Sequence, residues 1–199
     1  MASLLRQRQC ISVALGQKDA YTEAHCTRVE RLALELGSRC GLGRLEQSLL
    51  RTAARLHDVG KIGIPEQVLL KPGRLTPDEY EVIKRHCEYG QLICEALAHE
   101  HAGLVALVIR HHHEQFDGLG YPDGLAGQDI PICARLISVV DCYDAMTSRR
   151  SYRHALSHQE TMGILQDECG SKSDPSVFAH FASLVQGRPD LVASSASRH

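Results

Sequence analysis

The chain has 199 residues, which is enough for one compact domain with a sizeable hydrophobic core. Its formal net charge of −2 gives no electrostatic basis for binding a nucleic-acid polymer or inserting into a membrane. The longest apolar run, residues 102–109, is too short to cross a bilayer, and no secretory leader is evident. The eight cysteines form no CxxC pair, so we expect a cytoplasmic protein with free thiols.

Apolar residues in the first half of the chain recur at spacings of three and four, which is typical of amphipathic helices. One stripe contains Val29, Leu32, Ala33 and Leu36, and a second runs over residues 45–56. Residues 76–79, Thr-Pro-Asp-Glu, combine an N-cap, a proline at the first helical position and a capping-box glutamate. This pattern predicts a helix from Thr76 towards Leu97.

The second half continues the helical pattern. Residues 104–113 predict a buried helix, and further helix starts are signalled at Pro131, at Ser157 with Glu160, and at Asp174 with Pro175. Residues 62–74 and 115–130 hold Gly and Pro and predict loops, of which the second is long and structured. The predicted fold class is therefore all-α, a compact helical bundle in one domain over residues 1–186, followed by a frayed tail at residues 187–199.

Side chains that can ligate metals end or interrupt these apolar stripes. They are His25, His57, Asp58, His86, His112, His113 and Asp141. Imidazole nitrogens and carboxylate oxygens suit divalent first-row metals such as Fe, Mn, Ni or Zn. The set exceeds the needs of one tetrahedral ion, so it indicates two metals that share the Asp58 carboxylate as a bridge. Such a centre predicts metal-assisted hydrolysis of a phosphate ester.

Two further residues have predicted roles near this set. Lys61 follows His57 by four residues, so the two would share a face if the helix continued, and its ammonium could hold a phosphate oxygen. Asp144 lies one turn after Asp141, where it could orient a ligand. A single histidine on a helix is more often a surface or hydrogen-bonded core residue. The metal prediction therefore depends on the whole set, since an unpaired imidazole in each apolar stripe would be costly.

Several long segments resemble the HD-GYP phosphodiesterases, a branch of the HD superfamily of metal-dependent phosphohydrolases. The matching segments are HDVGKIGIPEQVLLKPGRLT at residues 57–76, RHHHEQFDGLGYPDGLAGQDIP at residues 110–131 and ARLISVVDCYDAMTSRRSYR at residues 134–153. The segment YTEAHCTRV around His25 also fits. The resemblance extends over residues 15–181.

The resemblance implies a helical domain with a long Gly-Tyr-Pro loop and a centre of two or three metal ions, often iron, held by the ligand set above. The implied substrate is cyclic di-GMP, which is opened to pGpG and in some members cut further to GMP. Asp58 and Lys61 are the predicted catalytic residues. The predicted substrate contacts are Lys61, Gly120, Tyr121, Pro122, Asp144, Arg150 and Arg153.

The chain departs from the family pattern at two informative positions. Members with three metals carry a glutamate four residues before the first histidine, and this position is Tyr21 here, which predicts two metals. Ser151 replaces the proline that usually precedes Tyr-Arg, which is expected to loosen the segment presenting Arg153.

The predicted reaction is in-line attack on phosphorus by a hydroxide that bridges the two metals, with Lys61 offsetting charge on the phosphoryl oxygens. Iron is the expected metal, with manganese, nickel or zinc as alternatives. One alternative function is a module that binds cyclic di-GMP, or GGDEF-domain proteins through the Gly-Tyr-Pro loop, without useful catalysis. Another is hydrolysis of a different cyclic dinucleotide, such as cyclic GMP-AMP.

Overall fold

The computed structural model describes residues 20–97, 100–148 and 155–186, together with residues 11, 13 and 16. Within these ranges the chain forms helices and no β-strand, so the predicted all-α fold class is confirmed. The helices are α1 (Ala20–Arg39), α2 (Arg44–Leu56), α3 (Glu66–Leu69), α4 (Pro77–Lys84), α5 (His86–Glu95), α6 (Ala102–Arg110), α7 (Ile132–Thr147), α8 (His158–Asp167) and α9 (Pro175–Gln186). Two 3-10 helices cover Val59–Gly63 and Gly127–Asp129.

The helix starts predicted from capping residues are present. Thr76 Oγ1 accepts from the Glu79 backbone N–H at 3.3 Å, and the Glu79 carboxylate accepts from the Thr76 N–H at 2.7 Å. Ser157 and Glu160 form the same reciprocal pair at the start of α8. Each pair satisfies two backbone donors that a helix leaves without partners, which fixes where α4 and α8 begin.

The hydrophobic core lies where α1, α2, α6 and α7 meet. Helix α2 packs against α1 and α6, and α7 packs against α1 and α2. The predicted stripe on α1 is buried in full. Among the most deeply buried side chains of the core are Leu36, Leu50, Leu56, Ile109, Leu136, Ile137 and Phe181. Burying a side chain of this size contributes about 1.5–3 kcal/mol, so the stripes decide how the helices assemble.

Two helix predictions need correction. The predicted helix from Thr76 towards Leu97 is divided at Arg85 into α4 and α5. The Ile83 carbonyl accepts from His86 Nδ1 at 2.8 Å and from the Arg85 N–H, which replaces the regular helical pattern there. The helix predicted over residues 104–113 ends at Arg110, and the histidines after it lie in a turn.

The surface of α6 also differs from expectation. Leu104 and Leu107 are 45% and 43% exposed, so the prediction of a wholly buried helix is wrong on this face.

The seven described cysteines are all free thiols, as predicted. Every helix in the described parts of the chain is too short or too polar to span a bilayer. The predicted tail at residues 187–199 lies outside the described residues.

Candidate metal centre

The seven predicted ligands converge on one site, although they come from distant parts of the chain. Their positions are α1 for His25, the turn after α2 for His57 and Asp58, the start of α5 for His86, the turn after α6 for His112 and His113, and α7 for Asp141. Five of the seven are buried, while His113 and Asp141 are partly exposed and mark the open side of the site.

The first group of ligand atoms is centred on His25. Its Nε2 lies 3.2 Å from His57 Nε2 and 3.0 Å from Asp141 Oδ1. Asp58 Oδ2 is 3.8 Å from His25 Nε2 and 3.6 Å from His57 Nε2. Two imidazoles and two carboxylates within this space form a donor set suited to a divalent first-row metal.

A second group lies on the other side of Asp58. Ligand atoms of His86, His112 and His113 all lie within 4.8 Å of one another, and the Nε2 atoms of His86 and His112 are 3.4 Å apart. Asp58 Oδ1 is 3.8 Å from His86 Nε2, whereas Oδ2 is the oxygen near His25 and His57. The two Asp58 oxygens therefore face different groups, as expected of a bridging carboxylate.

Backbone hydrogen bonds orient three of the imidazoles. The Nδ1 atoms of His57, His86 and His112 each lie 2.6 to 2.8 Å from the carbonyl oxygen three residues earlier. A carbonyl can only accept, so Nδ1 carries the proton in each ring. The Nε2 lone pairs are then directed at the centre of the site, which is the tautomer that metal coordination needs.

Burial keeps the second group of histidines neutral. It lowers the pKa of His86 to about 3 and that of His113 to about 4, because the charged imidazolium loses solvation. The pKa of His112 is lowered by the same cause. Neutral imidazoles at physiological pH can bind a cation without first losing a proton.

The imidazole of His25 is oriented by a carboxylate. Its Nδ1 lies 2.7 Å from Asp144 Oδ2, and the Arg28 guanidinium donates to both oxygens of Asp144, at 2.6 and 2.9 Å. Burial would lower the pKa of His25, but Asp141 and Asp144 outweigh it and raise the pKa to about 9. Asp144 therefore orients the imidazole of His25, a predicted ligand, and its predicted contact with substrate stays a prediction.

Loss of the Arg28–Asp144 pair should weaken metal binding. We expect Arg28→Gln to lower metal affinity about 10- to 100-fold, as is typical when an outer partner of a ligand is removed. The measurement is competition for metal with a chelator of known affinity. Arg31→Gln, on the exposed face of the same helix, is the matched control and should bind metal normally. Equal affinity of the Arg28 variant and the wild type would contradict this role.

Lys61 reaches the site by a different route from the one predicted. Helix α2 ends at Leu56, and the chain continues as the 3-10 helix Val59–Gly63, so the expected helical face shared with His57 is absent. Lys61 Nζ instead lies 2.7 Å from Asp58 Oδ2. Burial would lower the pKa of Lys61, but the Asp58 carboxylate raises it above its usual value, so the side chain stays cationic.

The predicted Gly-Tyr-Pro loop borders the open side of the site. The Tyr121 ring stacks on the His113 imidazole with centroids 5.0 Å apart and planes at 27°, and the Tyr121 N–H donates to the His113 carbonyl at 3.2 Å. A Cβ on Gly120 would lie 2.2 Å from the Gln115 backbone nitrogen, so only glycine permits this close approach. Pro122 follows, partly buried.

Sequence reasoning missed a network that holds this loop. The Arg110 guanidinium donates to both oxygens of Asp123 at 2.6 Å, and His111 Nε2 lies 2.8 Å from Asp123 Oδ2. The Asp123 N–H donates to Glu114 Oε1 at 2.8 Å. The charged residues on either side of the three consecutive histidines were the available signal.

Two other predicted contacts, Arg150 and Arg153, lie outside the described residues, as do Ser151 and the side chain of Tyr21.

The described domain is all-helical, and it brings histidines and aspartates from five places in the chain to one buried centre. This is the architecture of the HD superfamily. The chain belongs to the HD domain family, whose model matches residues 8–177. The family model confirms the predicted membership of the HD superfamily. The predicted relationship to the HD-GYP phosphodiesterases is supported by relatives that are named cyclic di-GMP phosphodiesterases.

The cyclic di-GMP phosphodiesterase response regulator RpfG of Xanthomonas campestris is 38% identical over 189 residues, which cover 94% of this chain and 49% of that protein. A cyclic di-GMP phosphodiesterase of Thermotoga maritima is 37% identical over 87% of this chain and 47% of its own length. This chain thus spans about half the length of these relatives. The crystal structure of a cyclic GMP-AMP specific phosphodiesterase of V. cholerae shares the fold, with a TM-score of 0.69 and 18% identity over 94% of this chain and 51% of that one.

Proposed function

We propose that the chain is a metal-dependent phosphodiesterase that opens cyclic di-GMP to pGpG, with onward cleavage to GMP as an open second step. The observation that carries the proposal is the position of Asp58, whose two oxygens face separate groups of ligands while Lys61 lies beside it. The proposal is supported by relatives from X. campestris and T. maritima that carry this activity in their names.

The donor set fits two divalent ions, with iron the proposed metal and manganese, nickel or zinc the alternatives. His25, His57, Asp58 and Asp141 would hold one ion, and His86, His112, His113 and Asp58 the other. When bound, such ions lower the pKa of water and offset negative charge on a phosphate. Tyr21 occupies the position of the additional glutamate of three-metal members, so we propose two ions and not three.

The chain's own side chains then bind and orient the substrate. Lys61, which stays cationic and is partly exposed, would hold a phosphoryl oxygen. The loop containing Gly120, Tyr121 and Pro122 would border the dinucleotide, because it lies against His113 at the open side of the site. Arg150 and Arg153 are proposed as contacts to phosphate or guanine, since a planar guanidinium can bind either through two hydrogen bonds.

Two alternative functions remain as separate hypotheses. Cyclic GMP-AMP is an alternative substrate, because a Vibrio cholerae relative that is 33% identical over 82% of this chain is named a 3'3'-cGAMP-specific phosphodiesterase. A module that binds partners without catalysis is the other, and GGDEF-domain proteins are its proposed partners. The loop would supply the contact, since Leu119 at its tip is 79% exposed. The proposed cellular location is the cytoplasm.

Turnover by anaerobically purified protein loaded with iron or manganese tests the proposal. We expect cyclic di-GMP to be hydrolysed to pGpG by protein that contains about two metal ions per chain, with any GMP appearing later. Products are separated chromatographically, and metal content is measured on the same sample. Faster cleavage of cyclic GMP-AMP would select the alternative substrate. Full metal loading with binding but no product would contradict catalysis and select the binding module.

A further inference from the structure

Helix α4 places an aromatic ring and an ammonium group against the Gly-Tyr-Pro loop. The Tyr80 ring meets the Tyr121 ring edge to face, with centroids 6.4 Å apart and planes at 81°. Lys84 Nζ lies 5.6 Å from the centroid of each of these rings. We call Tyr80, Lys84 and Tyr121 the tyrosine–lysine wall. The sequence motifs assign no chemistry to Tyr80 or Lys84.

The wall is continuous with the metal centre. Tyr121 stacks on the imidazole of His113, and its ring also contacts Tyr80. His113 is one of the two ligands on the open side of the site. A nucleotide whose phosphate lies at the metal ligands can therefore extend its base outward along Tyr121 towards Tyr80.

The wall has the chemistry to bind a purine base. Tyr80 is 48% exposed, so one part of its ring packs on Tyr121 while another part is open to a ligand. A nucleobase can stack on such a ring whatever its identity. The Lys84 ammonium has three donors, and its Nζ forms an ion pair with Glu81 Oε1 at 2.5 Å.

Stacking alone does not distinguish guanine from adenine, but the Lys84 ammonium can. Guanine presents two acceptors, O6 and N7, on one edge, whereas adenine presents N7 beside the N6 amino donor. An ammonium group is attracted to the guanine edge and meets a donor on the adenine edge. A cation next to a stacking ring is therefore selective for guanine.

We propose that the tyrosine–lysine wall is a guanine subsite, in which Tyr80 stacks on one base of the cyclic dinucleotide and Lys84 donates to its O6 and N7. The proposal rests on the proposed function, because it assumes that the phosphate of a cyclic dinucleotide lies at the metal centre. It adds two residues that determine specificity, neither of which is a predicted metal ligand.

The test measures binding separately from turnover. Metal-loaded protein comprising residues 1–199 is titrated with the hydrolysis-resistant bis-phosphorothioate analogues of cyclic di-GMP and cyclic di-AMP. We expect Tyr80→Leu to weaken binding of both analogues about tenfold, through loss of stacking. We expect Lys84→Met to reduce the preference for the guanine analogue about tenfold, with a smaller effect on the adenine analogue.

Lys71→Met is the matched control for Lys84→Met. Lys71 also pairs with a glutamate of α4, Glu79, at 2.6 Å, and its side chain is 31% exposed against 26% for Lys84. The control removes the same charge and the same kind of ion pair, and it should leave both affinities unchanged. The kcat for bis(p-nitrophenyl) phosphate, a phosphodiester without nucleobases, reports on the metal centre separately from any change in KM that its aromatic rings cause at the wall, and this kcat should equal the wild-type value in all three variants.

Each outcome separates the subsite from the catalytic proposal. Selective loss of guanine binding with normal cleavage of bis(p-nitrophenyl) phosphate supports the subsite. This holds even if the wild type binds cyclic di-GMP without hydrolysing it. Such a lack of hydrolysis would contradict only the proposed function. Unchanged affinities in the Tyr80 and Lys84 variants overturn the subsite. A parallel loss of binding and of bis(p-nitrophenyl) phosphate cleavage also overturns it, because the wall would then act by holding Tyr121 and His113 in place.

Discussion

Asp58→Asn is expected to abolish phosphodiester hydrolysis and to remove most of the bound metal while leaving the helices intact. Asparagine keeps the shape of the side chain, but it replaces one acceptor oxygen by an amino donor and removes the negative charge. Since the two Asp58 oxygens face different ligand groups, the donor must point at one of them. We expect metal affinity to fall by more than about 100-fold, beyond the usual effect of losing an outer partner.

The measurements are metal content per chain, the rate of cyclic di-GMP hydrolysis and the far-ultraviolet circular dichroism spectrum. Asp167→Asn is the matched control, because Asp167 is an exposed aspartate at the end of α8. It loses the same charge far from the ligands and should behave like the wild type. An Asp58→Asn protein that binds metal and turns over at the wild-type rate would show that the carboxylate does not bridge the two groups.

The helical architecture could be predicted because its signals are local. The apolar stripe on α1 and the capping residues Thr76 and Ser157 each depend on residues within a few positions of one another, and the structure has all three. The break at Arg85 could not be predicted in this way. It depends on His86 bonding to the Ile83 carbonyl while the same imidazole faces His112, from the turn after α6.

The candidate centre was predictable as a list of residue types but not as a geometry. Ligand chemistry and the family motifs together predicted the histidines and aspartates that converge. The motifs did not indicate that Lys61 would contact Asp58 through a 3-10 helix. Nor did they indicate Arg28, which contacts Asp144, the partner of His25 and a residue more than 100 positions away in the chain. Contacts at this sequence separation have no local signal.

Gly60 lies where the 3-10 helix Val59–Gly63 packs against the first turns of α5. A Cβ at this position would lie 1.8 Å from the His86 carbonyl oxygen and 2.5 Å from the Gly90 backbone nitrogen. Both neighbours are backbone atoms, which cannot rotate out of the way as a side chain can. The glycine therefore sets the distance between the segment that follows Asp58 and the helix that carries His86.

We expect Gly60→Ala to destabilise the fold by about 3 kcal/mol, because adding a methyl group to a closely packed site forces the backbone apart. For a chain of this size the melting temperature should fall by roughly 6–12 °C. Metal affinity should fall as well, since moving the start of α5 moves His86 away from Asp58. Calorimetric melting and metal competition measure the two effects.

Gly103→Ala is the control for Gly60→Ala, because it adds the same methyl group at a position where the structure has space for it. Gly103 lies in the first turn of α6, a Cβ there meets no heavy atom within 4 Å, and alanine is the better helix former. This variant should melt slightly higher than the wild type and bind metal normally. If Gly60→Ala melted no lower than Gly103→Ala, the contact between the 3-10 helix and α5 would be looser than the structure has it. Asp58 and His86 would then not be held at a fixed separation by Gly60.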